Sequence, residues 1–279
     1  MLTRITHASG VVALQSPLLR AAGVVHAFTT RHGGVSPAPF DSLNLGNPGQ
    51  AEAQDDPANL AENYTRLQLA LGVPLASRAW VSQVHGRTVE LIDVEPDSEY
   101  AETLESELRD RYSGQLSADA LVTAQPNLLL TIRVADCFPV LFASADGKNV
   151  AAAHAGWRGV IGNIVEKTIR ALGEAAPRTA APANLIAAIG PGICTKCFEV
   201  GPEVAAQFEK SGYAAMVHRT LGPKPHIDLQ AVLAAQLRAA GIARIDTADL
   251  CTVENPADFF SHRRDAGRTG RLAAVITPR

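Results

Sequence analysis

LLLTIRVADC (128–137), FPVLFASADGKNV (138–150) and AAAHAGWRG (151–159) form one continuous stretch, and its reading decides the fold. The apolar runs at residues 128–134 and 150–153 are nearly unbroken, which is the pattern of strands covered on both faces, and they predict two adjacent buried strands. Each run stops at a borderline or soft metal ligand, Cys137 or His154. A third such ligand, His85, follows Trp80, Val81 and Val84 and precedes Gly86, again where a strand gives way to a turn. Two imidazoles and one thiolate suit zinc, and three protein ligands leave a fourth position for water or substrate. The separations along the chain are too long for a local finger, so the fold must assemble any such site. Each residue alone has an ordinary reading, since strand-end cysteines pack as small hydrophobes and a lone histidine is usually just hydrogen-bonded. The neighbours argue for a site. Asp136 beside Cys137, and Gly156-Trp157-Arg158-Gly159 after His154, bring an acid, an indole and an arginine to strand ends where packing has no need of them.

Composition narrows the class. The chain has 279 residues, 47% of them hydrophobic and 19% charged, with a net charge of −3, so it is globular and lacks the basic surplus of a nucleic-acid or membrane-surface binder. No stretch approaches about 18 uninterrupted apolar residues, and MLTRITHASG holds no signal-like apolar run, so a cytoplasmic location is expected. Four cysteines are too few for a secreted disulfide scaffold. With no linker in sight, residues 1–279 are expected to form one domain.

Outward from the centre, residues 11–14 and 24–29 read as strands, the second feeding the loop Thr30-Arg31-His32-Gly33-Gly34. That glycine pair could bring main-chain N–H groups against an anion with Arg31 beside it, or it could be a surface turn. Asn44 in SLNLG is placed to face the same cavity. Asp55-Asp56-Pro57 opens a helix that runs to about Leu71 and stops at Gly72, with Leu60, Tyr64, Leu67 and Leu71 on its packing face. Residues 80–84 and 88–94 are predicted strands around His85. Residues 95–117 look like an acidic, polar surface insertion with a short helix at 102–112, and residues 120–123 return to the core.

After His154 the period changes: Ile161, Ile164, Val165, Thr168, Ile169 and Leu172 predict one amphipathic helix ended at Gly173. Its N-terminus next to Arg158 would favour a bound phosphate. Residues 185–189 read as a buried strand, 202–210 and 228–240 as helices, the latter between Asp228 and Gly241, and 271–277 as a last strand. Cys194 and Cys197 form a lone C-x-x-C: a redox pair, half of a zinc site, or, as the simplest reading, two neighbouring thiols, because no second C-x-x-C supplies the other ligands. Strict β-α alternation is absent over the first 150 residues, so the expected class is α+β with mixed sheets and helices outside them, not a doubly wound sheet.

QVHG (83–86), ADC (135–137) followed by Pro139, and HAGWRG (154–159) resemble the laccase-domain purine nucleoside phosphorylase family, also labelled polyphenol oxidase. TTRHGGVS (29–36), LNLG (43–46), AIGPGI (188–193), FEVG (198–201), FFSHRRD (259–265) and TGR (269–271) extend the resemblance over nearly the whole chain. It implies a layered sandwich of mixed β-sheets flanked by helices, with a pocket at strand ends and zinc held by His85, Cys137 and His154. It also implies purine nucleoside and phosphate as partners, with phosphorolysis of adenosine, inosine, guanosine or methylthioadenosine, and deamination of adenosine.

Catalysis would then fall to His85, Cys137, His154, Asp136 and Arg158. Asp136 is either a proton shuttle or a carboxylate that orients a zinc histidine. Substrate contacts would come from Arg31, Asn44, Arg158, Phe260, His262 and Arg263, the phenylalanine stacking on the base and the arginines facing an anion. Tyr64 departs from the family pattern, which commonly has an arginine there, so any substrate contact by that arginine has to be replaced. The pattern does not require Cys194 or Cys197. Laccase chemistry is rejected by counting: a blue copper plus a trinuclear cluster needs roughly ten histidines, several as H-x-H pairs, whereas this chain has eight and no H-x-H. Two alternatives stay open: a hydrolase of small amides or cell-wall precursors with Cys137 as nucleophile and His154 as base, and a non-catalytic zinc- or nucleotide-binding protein. Monomer and homodimer are equally compatible with the sequence.

Overall fold

The computed structural model describes residues 1–47, 53–92 and 113–279. Its frame is two mixed sheets lying face to face. The seven-stranded sheet runs in the order β1 (Thr3–Thr6), β2 (Val12–Gln15), β3 (Val25–Thr29), β15 (Leu272–Thr277), β8 (Leu128–Val134), β4 (Ser77–Ser82) and β6 (Ser113–Ser117). The six-stranded sheet runs β14 (Arg244–Thr247), β11 (Leu185–Ile189), β9 (Phe138–Ser144), β10 (Val150–Ala155), β7 (Ala120–Thr123) and β5 (Val89–Ile92). Antiparallel pairs dominate, and β4 with both β6 and β8, β5 with β7 and β11 with β14 are parallel. The short pair β12 (Val217–His218) and β13 (His226–Ile227) lies apart from both.

The side-chain period of two explains why the central runs carry no polar face. Leu128, Leu130, Ile132 and Val134 of β8 point between the sheets, where they meet Leu141, Ala143, Val150, Ala152 and Ile186 of the other sheet. Leu129 points the opposite way, toward α2 (Pro57–Leu71), the helix that follows α1 (Pro17–Ala21), with Tyr64, Leu67, Ala27 and Val275. On the outer face of the second sheet, Val140, Phe142, Ala151 and Ala153 meet Ile164, Val165, Ile169 and Leu172 of one helix and Leu233 and Leu237 of another. The result is four layers, helix, sheet, sheet, helix, and the central strands β8, β9, β10, β11 and β15 bury both faces. Each fully buried Leu, Ile, Val or Phe side chain contributes roughly 1.5–3 kcal/mol.

The mixed α+β architecture expected from the sequence is what forms, with two corrections of detail. Residues 128–134 and 150–155 are both buried, but they belong to different sheets and touch face to face instead of pairing edge to edge. Periodicity reports burial and is blind to which neighbour does the burying. The helix after His154 is also two helices, Trp157–Ile161 and Ile164–Ala175, broken at Gly162 and Asn163, whose φ of 59° lies in the left-handed region. The second continues through Gly173, where a glycine stop was expected. The helix placed at residues 102–112 and most of the expected insertion lie outside the described residues, and residues 113–117 form β6.

Helix α2 begins and ends as predicted. The Asp56 side chain accepts from the Ala58 amide, Pro57 fills the first turn, and Gly72 closes the helix at φ 74°. Tyr64 is buried in that layer, its hydroxyl donating to the Leu45 carbonyl at 2.7 Å and its ring under the Arg78 guanidinium at 3.5 Å. Among the described residues no helix is long and apolar enough to cross a membrane.

His26 on β3 is buried as a neutral ring: Nε2 accepts from the Ser16 amide at 2.8 Å and Nδ1 donates to the Val24 carbonyl at 3.2 Å. Burial is the main cause that lowers its pKa from 6.5 to about 4. Between those values the unfolded chain binds the proton and the folded one does not, so stability present above pH 6.5 is lost as the pH falls. The expected loss from this residue is about 2 kcal/mol at pH 5, read as a steeper fall of the denaturation midpoint from pH 7 to 5 in the wild type than in His26→Gln.

Candidate active site

Three times the chain crosses from the first sheet to the second, between β4 and β5, β6 and β7, and β8 and β9, and each crossing carries a residue of one cluster. His85 sits on the first crossing, Asp119 on the second and Cys137 on the third. His154, near the end of β10, pairs with Pro139 and so lies beside Cys137. Ligand atoms of His85, Cys137 and His154 all lie within 4.8 Å of one another. The two imidazoles meet edge to face with centroids 4.8 Å apart.

Asp119 organises this cluster. Fully buried, it accepts from His154 Nδ1 at 2.7 Å and from the His85 and Gly86 amides at 3.0 and 2.6 Å. The bond to Nδ1 leaves His154 Nε2 as the free nitrogen, a carboxylate–histidine arrangement characteristic of metal sites. The two amide bonds hold a turn in which His85 has a φ of 57°; Asp136, on the third crossing, has a φ of 84°. Strain of this kind costs on the order of 1–3 kcal/mol per residue and concentrates at functional sites.

Burial opposes charge on Cys137, but His154 and His85 beside it outweigh that and bring its thiol down to about 6. Burial likewise opposes charge on His154, and Cys137 and Asp119 together push it up to about 9. The site is thus built around a thiolate. A cation suits it, and the backbone makes room for one: a Cβ on Gly156 would stand 3.0 Å from His85 Cδ2 and 3.2 Å from Cys137 Sγ. Gly156→Ala is therefore expected to cut metal retention and turnover by about 10–100-fold, while the melting temperature of metal-free protein changes little; elemental analysis and thermal melts check it.

The cluster forms the floor of a cavity of about 530 Å³ whose wall includes Gln83, Arg133, Asp136, Trp157, Phe198, His262, Arg263 and Arg271. Asp136 Oδ1 accepts from the Thr252 hydroxyl at 2.6 Å and Oδ2 from the Arg263 amide at 2.7 Å, so its carboxylate anchors the 261–265 segment and does not orient a histidine of the cluster.

Four other expected contacts do not line the cavity. Arg31 is turned to the Asp41 and Pro256 carbonyls and stacks 4.6 Å from the Phe260 ring. Phe260 is itself fully buried and offers no face to a base. Asn44 is buried too: Oδ1 accepts from the Arg271 amide at 2.8 Å, which fixes the strand start that aims Arg271 inward. Arg158 is exposed and stacks on Trp157 at 4.4 Å, and the five-residue helix it belongs to supplies no strong dipole. An anion-binding role for the helix terminus and Arg158 finds no support in this geometry.

A family described as multi-copper polyphenol oxidoreductase laccase matches residues 25–279. The chain belongs to that family. A Deinococcus radiodurans protein named purine nucleoside phosphorylase is 41% identical over 262 residues, covering 93% of this chain and 92% of its own length. The Escherichia coli K12 protein named purine nucleoside phosphorylase YfiH is 36% identical over 257 residues, covering 91% and 93%. Among solved structures, YlmD from Geobacillus stearothermophilus superposes with a TM-score of 0.81 at 30% identity, covering 99% of this chain and 98% of that one. Bacillus licheniformis YfiH gives 0.80 at 29% identity, covering 99% of both chains.

The copper in the family's description does not extend to a multicopper centre here. Among the described residues only His85 and His154 of the eight histidines join a possible ligand cluster, so no trinuclear site can be built. Sequence reasoning missed Asp119, Arg133, Gln83 and Arg271. Two left a signal: an aspartate abutting the apolar run at 120–123, and an arginine inside the otherwise apolar LLLTIRV.

Proposed function

We propose that the protein is a zinc-dependent purine nucleoside enzyme that splits nucleosides with phosphate and deaminates adenosine. The observation that carries this reading is the convergence of His85, Cys137 and His154, around space left by Gly156, on the floor of a cavity lined by three arginines. Two imidazoles and a thiolate suit zinc better than magnesium or calcium, and the set leaves a coordination position free. When bound, zinc supplies a Lewis acid that acidifies water to a pKa of about 7 and stabilises negative charge.

The chain's own residues do the rest. Half-buried Trp157, backed by Arg158, and Phe198 offer aromatic faces to the purine. Arg133 and Arg271 line the cavity and supply the positive charge that a phosphate needs. Burial holds the Arg271 pKa below its usual range, countered by Cys137 and Asp136, and its remaining bonds go to the Thr269 and Gly270 carbonyls. Arg263 spends its guanidinium on the Cys197 and Glu199 carbonyls and shapes the rim. In phosphorolysis a phosphate oxygen bonds to C1′ as the C1′–N9 bond breaks, giving ribose 1-phosphate and the free base. In deamination water replaces ammonia at C6. Arg271→Gln is expected to raise the KM for phosphate by about 10–100-fold while deamination, which uses no phosphate, falls far less. Steady-state kinetics of both reactions measure the split.

A second reading has one observation behind it. Asp119, His154 and Cys137 also make a Cys-His-Asp relay, and the depressed thiol is what a cysteine nucleophile needs. The missing Cβ at Gly156, which leaves room beside His85 and Cys137, has no part in that relay, which favours the metal. Incubating purified protein with adenosine, with and without phosphate, and resolving inosine, adenine and hypoxanthine tests the proposal. Adenine appearing only with phosphate, and inosine without it, support it. No product from protein carrying stoichiometric zinc overturns it, and metal-free protein whose amidase activity is lost on thiol alkylation establishes the relay instead.

A further inference from the structure

The C-x-x-C that looked incomplete along the chain acquires a third thiol in space. Sulfur atoms of Cys194, Cys197 and Cys251 all lie within 4.8 Å of one another, and all three are free cysteines. Cys251 is contributed by a distant segment that bridges to the 192–194 loop: Gly192 and Cys251 pair as a parallel bridge, and the Thr252 amide donates to the Gly192 carbonyl at 3.0 Å. The Cys194 amide points at Cys251 Sγ at 3.3 Å, the kind of N–H to sulfur bond that stabilises a metal-bound thiolate. The 194–197 turn is closed by Cys197 and Phe198 amides donating to the Cys194 carbonyl at 3.0 and 2.9 Å, which holds the first two sulfurs on one side. Beside them the Glu254 carboxylate sits 3.5 Å from Cys194 Sγ, its other oxygen 4.0 Å from Lys196 Nζ.

We propose that Cys194, Cys197, Cys251 and Glu254 form a second, separate zinc site of the closed structural kind. A tetrahedral ion with bonds of about 2.3 Å to sulfur separates its sulfurs by about 3.8 Å, and these three already lie within 4.8 Å of one another. Four protein donors fill the coordination sphere, so this site, unlike the first, has no vacancy for substrate. Its work is mechanical. It ties the segment carrying Ile193 and Phe198 to the one carrying Thr252, and Thr252 holds Asp136, so the ion braces one wall of the cavity from outside.

The proposal is independent of the first site, and Cys137→Ala separates the two. Full-length wild type is expected to hold about two zinc ions per chain, Cys137→Ala about one, and Cys137→Ala with Cys251→Ser none. If Cys251→Ser, at a buried position, does not fold, half-buried Cys194→Ser takes its place. Cobalt(II) loaded into Cys137→Ala should give strong sulfur-to-cobalt charge-transfer bands that zinc abolishes, and those bands should be absent when Cys251→Ser is added. The proposal is overturned if Cys137→Ala holds no metal and shows no such bands, or if its intact mass is lower by the two hydrogens of a disulfide. One zinc in the wild type that vanishes in Cys137→Ala removes this site and leaves the first standing, whereas one zinc that survives does the reverse.

Discussion

Cys137→Ala is expected to abolish every nucleoside product, lowering kcat/KM by about 10³-fold or more for phosphorolysis and deamination alike. Cys137 is the anionic member of the set, and removing it leaves only two imidazoles, which hold zinc poorly. It lies at the turn between the sheets, only partly buried, so the fold should survive with a melting temperature near that of metal-free wild type. Zinc content by elemental analysis should fall by about one equivalent per chain together with the activity. Persistence of either reaction at the wild-type rate would detach the chemistry from this thiol.

Asp119→Asn comes second in expected size and acts one layer further out. The carboxylate accepts from His154 Nδ1 and from two amides, and these bonds outweigh the burial that opposes its charge, holding its pKa below the usual range. An asparagine keeps the shape but must turn its NH2 toward a donor, either the imidazole or the amides of the His85 turn. Loss of such an orienting carboxylate lowers metal affinity by about 10–100-fold, and one buried donor left unpaired costs roughly 1–3 kcal/mol of stability. Zinc dissociation measured with a competing chelator should show the first effect and urea denaturation the second. An unchanged affinity would mean that Asp119 supports only the turn.

Much of this was legible along the chain because it depends on local pattern. The Asp56 cap, Pro57 and Gly72 bound helix α2, and unbroken apolar runs marked β8 and β10 as doubly covered. His85, Cys137 and His154 stood out because polar ligands ended apolar runs. The rest depends on how strands are shared between sheets, which periodicity does not encode. Residues 128–134 and 150–155 would look the same whether side by side or stacked. Asp119 abuts an apolar run, but its partners follow only once the crossing between β6 and β7 is known to lie against the other two. Asn44 and Phe260 belong to motifs of the family yet sit behind the cavity wall, where one aims Arg271 and the other supports Arg31. The C-x-x-C seemed to lack partners because its third thiol lies more than fifty positions along the chain.

The central claim is that two crossings between the sheets and the end of β10 bring His85, Cys137 and His154 onto one zinc ion with a vertex left open. Anomalous diffraction at the zinc edge from crystals of the full chain addresses it directly. The expected map has a peak about 2.0–2.1 Å from nitrogens of His85 and His154 and about 2.3 Å from Cys137 Sγ, with a fourth neighbour that is not protein. A map of zinc-supplied protein with no peak at these atoms, or with a fourth side chain completing the shell, would contradict it.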